Sequence, residues 1–120
     1  MTQRSIRGAT TVVSDTKKNV LEATNELLTI MISENSIDTN SIVNIIFTAT
    51  SDIVSVFPAV AARAIGLSDV PLIDCQQMSC DKSLSLCIRV MLTYNTSKSQ
   101  RDTKHIYLHG AKVLRPDLLK

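Results

Sequence analysis

Tryptophan is absent from this 120-residue chain, and the only aromatic residues are two tyrosines and two phenylalanines. A core made without them has to come from Val, Ile, Leu, Ala and Met, which the 44% hydrophobic fraction allows. The same shortage removes the stacking platforms of a nucleic-acid binder. A net charge of +2, with lysines and arginines spread along the chain, supplies no basic patch, so no nucleic-acid partner is expected. No apolar run approaches the ~20 residues needed to cross a bilayer, and Met1-Thr2-Gln3-Arg4 leads into no signal-peptide core, so neither a membrane nor export is expected. Three glycines and three prolines are too few for a linker. The chain therefore reads as a single domain over 1–120, small enough that oligomerisation is expected to complete its buried surface.

Metal and nucleophile signals are equally sparse. Cys75, Cys80 and Cys87 are odd in number, lack CxxC spacing and have no nearby histidine pair, which fits three reduced thiols better than a zinc site or a disulfide framework. His105 and His109 stand four apart in a β-like segment, where that spacing makes no close metal pair, and read as lone surface histidines. There is no Ser/His/Asp set, Gly-rich phosphate loop, HExxH or paired-carboxylate motif. No metal and no cofactor is expected.

What is present is a pattern of alternating elements. Ile6 to Val13 reads as a strand carrying a polar side chain, Arg7, on one face. Asp15 is the expected N-cap of a helix over about 16–34, in which Val20, Leu21, Thr24, Leu27, Leu28 and Met31 recur at helical spacing. Asn35 to Ser41 supplies turn residues, and Ile42 to Thr50 reads as a buried strand broken by Ser51-Asp52. Pro58 opens a short alanine-rich helix that presents Arg63 and ends at Gly66. Strands are expected at Val70–Asp74, Leu84–Tyr94 and His105–Leu108, with a polar loop or helical turn at Ser97–Thr103. The class is α+β, one mixed sheet packed against two helices.

The arginines carry the chemical interest. Arg89 stands inside Cys87-Ile88-Arg89-Val90-Met91-Leu92, where an unpaired guanidinium facing a core would be very costly. Either it points to the solvent face of a half-buried strand or pairs with a structural carboxylate, or it forms an anion site, since its fork matches a carboxylate. Arg7 beside Gly8, Arg63 on the short helix and Arg115 before Pro116 pose the same question. An active site made of these would bind anions without an obvious nucleophile, as either a ligand-binding module or an enzyme working by conformational and electrostatic control.

Seven runs decide between these. Ile6-Arg7-Gly8-Ala9-Thr10-Thr11-Val12, Val56-Phe57-Pro58-Ala59 with Ala61-Ala62-Arg63, and Val70-Pro71-Leu72 come first. Gln76-Gln77-Met78, Cys87-Ile88-Arg89-Val90-Met91, Ile106-Tyr107-Leu108 and Ala111-Lys112-Val113-Leu114-Arg115-Pro116-Asp117-Leu118 follow. In this order and spacing the chain resembles the AroH class of chorismate mutases from about residue 4 to 118. The resemblance implies a mixed sheet packed on helices, a homotrimer with a pseudo-α/β-barrel core, and active sites between neighbouring subunits. It implies the Claisen rearrangement of chorismate to prephenate in aromatic amino-acid biosynthesis, a reaction that requires neither a covalent enzyme intermediate nor a proton transfer. By resemblance, Arg89 stands at the ether oxygen and side-chain carboxylate, Arg7 and Tyr107 bind the enolpyruvyl carboxylate, and Arg63 and Arg115 meet the ring carboxylate. Phe57, Ala59, Ile73 and Leu114 would form the apolar wall, and Asp74 would contribute mainly its backbone.

Two positions depart from the family pattern. Gln77 stands where many members carry a glutamate facing the substrate hydroxyl, and Val60 replaces a common lysine or arginine. Glutamine keeps an acceptor oxygen but loses the charge, so reduced activity is expected; losing a rim cation should weaken capture of a dianion more than the chemical step. The other classes to weigh are a non-catalytic module binding chorismate or an aromatic metabolite and a RidA-like imine deaminase, whose C-terminal pattern Arg115-Pro116-Asp117-Leu118 does not match. The expected location is the cytoplasm, or a plastid stroma if the chain is made there.

Overall fold

The computed structural model describes residues 1–115. Its strands are β1 (Thr2–Thr11), β2 (Ile42–Ala49), β3 (Leu72–Gln76), β4 (Cys87–Thr96) and β5 (Ile106–Tyr107), and its helices α1 (Lys17–Glu34) and α2 (Ala59–Ala64). Short 3₁₀ turns lie at Thr39–Ser41, Gln100–Asp102 and His109–Leu114. The strands form one mixed sheet in the order β3-β2-β4-β1-β5. β4 runs antiparallel to both β1 and β2, while the edge strands β3 and β5 run parallel to β2 and β1. The α+β class read from the sequence is the class observed.

The helical spacing of Val20, Thr24, Leu27, Leu28 and Met31 puts all five on the buried stripe of α1. Leu27, Leu28 and Met31 of that stripe pack with Ile6 of β1, Ile45 and Phe47 of β2, and Val90, Leu92 and Tyr94 of β4 in the main core, while Val20 joins Val12 and Ile88 in a second cluster. Gly8 lets helix and sheet approach closely: a methyl group there would overlap Met31 Sδ and press on Leu27. Alanines do the same for α2, whose Ala59, Ala61 and Ala62 are all buried.

Two expectations need correction. The N-cap of α1 is Thr16, whose hydroxyl accepts from Asn19 N at 3.1 Å. Asp15 instead accepts from Val54 N at 2.9 Å and Ser55 N at 3.2 Å, tying the loop before α2 to the loop before α1. Local pattern names a capping residue type but does not exclude a longer-range partner. Next, β2 is not buried throughout, since Ile46 is 39% exposed. An apolar run is compatible with burial on two faces or one. Beyond β5, in a stretch on which the sequence offered no expectation, the chain coils into a 3₁₀ turn on β1, with Gly110 N donating to Thr11 Oγ1 at 3.0 Å.

Candidate active site

The helices cover only one face of the sheet, and strand alternation decides which side chains reach the other. On β4, Ile88, Val90, Leu92 and Tyr94 are buried, while Arg89 and Met91 are exposed on the uncovered face. Cross-strand register extends those two positions into rows. Arg7, Met91, Ile46 and Ile73 form one, and Ala9, Arg89, Thr48 and Cys75 the next. Tyr107 pairs with Ala9 in the parallel ladder and so shares their face.

Arg7, Arg89 and Tyr107, three of the residues singled out from the sequence, line one recess of about 310 Å³ together with Gly8, Ile46, Thr48, Val90 and Met91. Its chemistry is cationic on apolar ground. Arg7 Nε and Thr48 Oγ1 are buried there with no hydrogen-bond partner among the described residues, which leaves both able to serve a ligand. Beside the recess the Cys87 thiol is fully buried, and burial pushes its pKa up against the opposing charge of Arg89. Burial disfavours the thiolate, the form in which a cysteine attacks.

The other predicted residues collect elsewhere. Phe57, 70% exposed, and Asp74 line a separate recess of about 480 Å³ with Val54, Val56 and Pro58, sharing no residue with the first. Asp74 Oδ1 accepts from Ala59 N at 3.0 Å, so its carboxylate caps α2 from a neighbouring strand in addition to whatever its backbone offers. Burial raises its pKa above the usual carboxylate range, opposed by that hydrogen bond and by the charge of Arg63, which is exposed on α2. Ala59 is fully buried within the protomer, its N–H taken by Asp74. Ile73, 56% exposed, lies on the uncovered face at the β3 edge.

Gln77 extends the β2–β3 ladder through its N–H to Ala49 O at 2.9 Å. It borders a third recess with Thr50, Ser51, Asp52 and Met78, apart from Arg89, and its buried Oε1 has no donor among the described residues. Leu114 and Arg115 are half-buried at the end of the chain's described part. The charge of Arg115 acts on His105, as does that of Arg7. Pro116-Asp117-Leu118, the end of the last matching run, lies outside the described residues.

His105 corrects the sequence reading. It is half-buried, not a lone surface histidine, and its Nδ1 accepts from Arg7 N at 2.9 Å. Burial first, then the charges of Arg7 and Arg115, lower its pKa below the ordinary histidine range. A signal existed, since His105 stands two residues before Tyr107, but its partner is 98 residues away in sequence. Thr48 was also missed, hidden within a run read as buried.

Comparison with known proteins shows the family and the fold. The family model for chorismate mutase type I matches residues 3–118. The chain is 44% identical over 116 residues to chorismate mutase AroH of Thermus thermophilus, covering 96% of this chain and 95% of that protein. It is 43% identical over 116 residues to chorismate mutase AroH of Bacillus subtilis strain 168, covering 96% and 91%. A solved chorismate mutase from Clostridium thermocellum superimposes with a TM-score of 0.89 at 43% identity, covering 91% of this chain and 97% of that one. The chain belongs to the chorismate mutase type I family.

Proposed function

We propose that this chain, as one catalytic unit over 1–120, converts chorismate to prephenate in a site shared between subunits, with Arg89 as the central catalytic group. As a type I chorismate mutase it catalyses an intramolecular rearrangement in aromatic amino-acid biosynthesis. The ether carbon–oxygen bond breaks as a carbon–carbon bond forms, and no proton, electron or leaving group passes to the protein. The work left to side chains is to hold a dianion in its compact conformer and to stabilise negative charge growing on the ether oxygen.

Arg89 stands at that oxygen and the side-chain carboxylate, and Arg7 with Tyr107 takes the enolpyruvyl carboxylate. The observation that carries this reading is their convergence in one recess, with Arg7 Nε buried and unsatisfied. Arg63 and Arg115 meet the ring carboxylate, Phe57, Ala59, Ile73 and Leu114 supply apolar wall, and Asp74 contributes mainly backbone. Gln77 faces the substrate hydroxyl, a neutral acceptor in place of a carboxylate.

These roles need two copies of the chain. Within one protomer the row from Arg7 through Met91 and Ile46 to Ile73 crosses three strand spacings, roughly 14 Å of sheet. Phe57 and Asp74 belong to a different recess altogether. A single compact substrate meets both sets only when the β3 edge of one copy approaches the β5 side of another. A homotrimer with a barrel-like core provides that approach, and the exposed apolar row of Ile46, Met91 and Ile73 is the surface it would cover. The bacterial relatives support a cytoplasmic location.

The test is loss of chorismate and appearance of prephenate with purified protein, run beside Gln77→Glu. Turnover by the parent, raised severalfold by Gln77→Glu, is the expected result. Activity in the variant alone, with ligand binding retained by the parent, would favour a chorismate-binding module instead. Sedimentation that finds only monomers in an active sample would remove the shared site.

A further inference from the structure

The parallel ladder that docks β5 on β1 is only two residues long, Gly8 with Ile106 and Ala9 with Tyr107. One place earlier a side chain continues it, since Arg7 N donates to His105 Nδ1 at 2.9 Å. A backbone N–H can only donate, so Nδ1 must be bare and the neutral ring must carry its proton on Nε2. The residue before the histidine is clamped as well. Lys104 N donates to Asn35 Oδ1 at 2.8 Å, and Lys104 O accepts from Asn35 Nδ2 at 2.9 Å, with Asn35 only 1% exposed at the end of α1.

We propose that His105 is a positioning residue for substrate capture, its neutral ring fixing the peptide of Arg7 against the strand that carries Tyr107. The proposal rests on the mutase reading above, in which those two residues take one carboxylate. Without the ring acceptor, nothing before the two-residue ladder ties β5 to β1, and their separation is left to that ladder and to the bonds beyond it, Leu108 N to Ala9 O at 2.9 Å and Gly110 N to Thr11 Oγ1 at 3.0 Å. Arg89 is insulated from that loss, because β4 is held by ten residue pairs to β1 and by seven to β2. Damage at His105 therefore falls on capture more than on the chemical step. The charged groups acting on the ring are Arg7 from β1 and Arg115 beyond the last 3₁₀ turn, and with burial they favour its neutral form; no carboxylate among the described residues contributes.

Steady-state kinetics on His105→Phe and His105→Asn test this. Phe fills the space without an acceptor, and KM for chorismate should rise roughly three- to tenfold, the worth of one net hydrogen bond, with kcat within about twofold. Asn places an amide oxygen near the Nδ1 position, and KM should return to within about twofold of the parent. An unchanged KM in the Phe variant, equal damage to kcat, or an Asn variant no better than Phe would overturn the role. Nitrogen NMR of the ring in the intact parent needs no variant. The Nε2–H tautomer is expected near neutral pH, and an Nδ1–H tautomer or an imidazolium there overturns the proposal. A parent without turnover would overturn the mutase reading and this role together, whereas an active parent with an indifferent Phe variant overturns this role alone.

Discussion

The two faces of the sheet are made from alternate residues of the same strands, yet they do different work. On the covered face Ile6, Val90 and Leu92 meet Leu27, Leu28 and Met31 and close a dry core. On the uncovered face, one residue along, Arg7, Arg89 and Met91 meet solvent or each other. Neighbours in sequence thus serve stability and chemistry separately, because a strand turns successive side chains to opposite sides. The lesson is that substitutions one position apart should fail in different ways.

The largest effect should come from the covered face. Leu92→Ala removes a fully buried side chain and should cost about 2–5 kcal/mol of stability, read from denaturant unfolding, with kcat per folded molecule nearly unchanged. Arg89→Ala, three residues away, should show the converse: kcat/KM lowered by about 10²–10³, with melting temperature and oligomeric state as in the parent. Wild-type-like turnover in a folded Arg89→Ala protein would sink the proposed mechanism, and a large loss of stability would blur the division between faces.

Gly8→Ala sharpens the comparison at its closest point, since Gly8 adjoins Arg7 but opens toward Met31. Overpacking there should destabilise by about 1–3 kcal/mol. Any loss of turnover should then follow the loss of folded protein, when activity is normalised to the folded fraction.

The smallest effect concerns pH. His105 has a lowered pKa in the fold, so the unfolded chain binds more protons just below the ordinary histidine value. Its contribution to stability is therefore fully present above about pH 6.5 and declines as pH falls below it toward the folded value. Thermal melts compared near pH 7.5 and 5.5 should show this decline, and it should shrink in His105→Asn. Asp15, whose pKa is lowered chiefly by a hydrogen bond with Ser55 and then by the Val54 N–H, contributes in a lower window. Its share is present above the ordinary carboxylate range and is lost as pH falls through the folded value.

The sequence by itself determined the α+β class, the stripe of α1, the end of α2 at Gly66 and the position of each strand to within a few residues. These follow from local periodicity and breaker residues, which act over a few positions. Matching runs along the chain also carried the family and the arginines Arg7, Arg63, Arg89 and Arg115 as candidates. Only tertiary structure decided which arginines share a recess, because that depends on register: Arg7 reaches Arg89's face through the pairing of β1 with β4, more than 80 residues away in sequence. Long-range partners were equally silent, as Asp15 for the Val54 amide and His105 for that of Arg7 show. A hydrogen bond across such a separation leaves no periodic trace, since only the folded sheet brings donor and acceptor together.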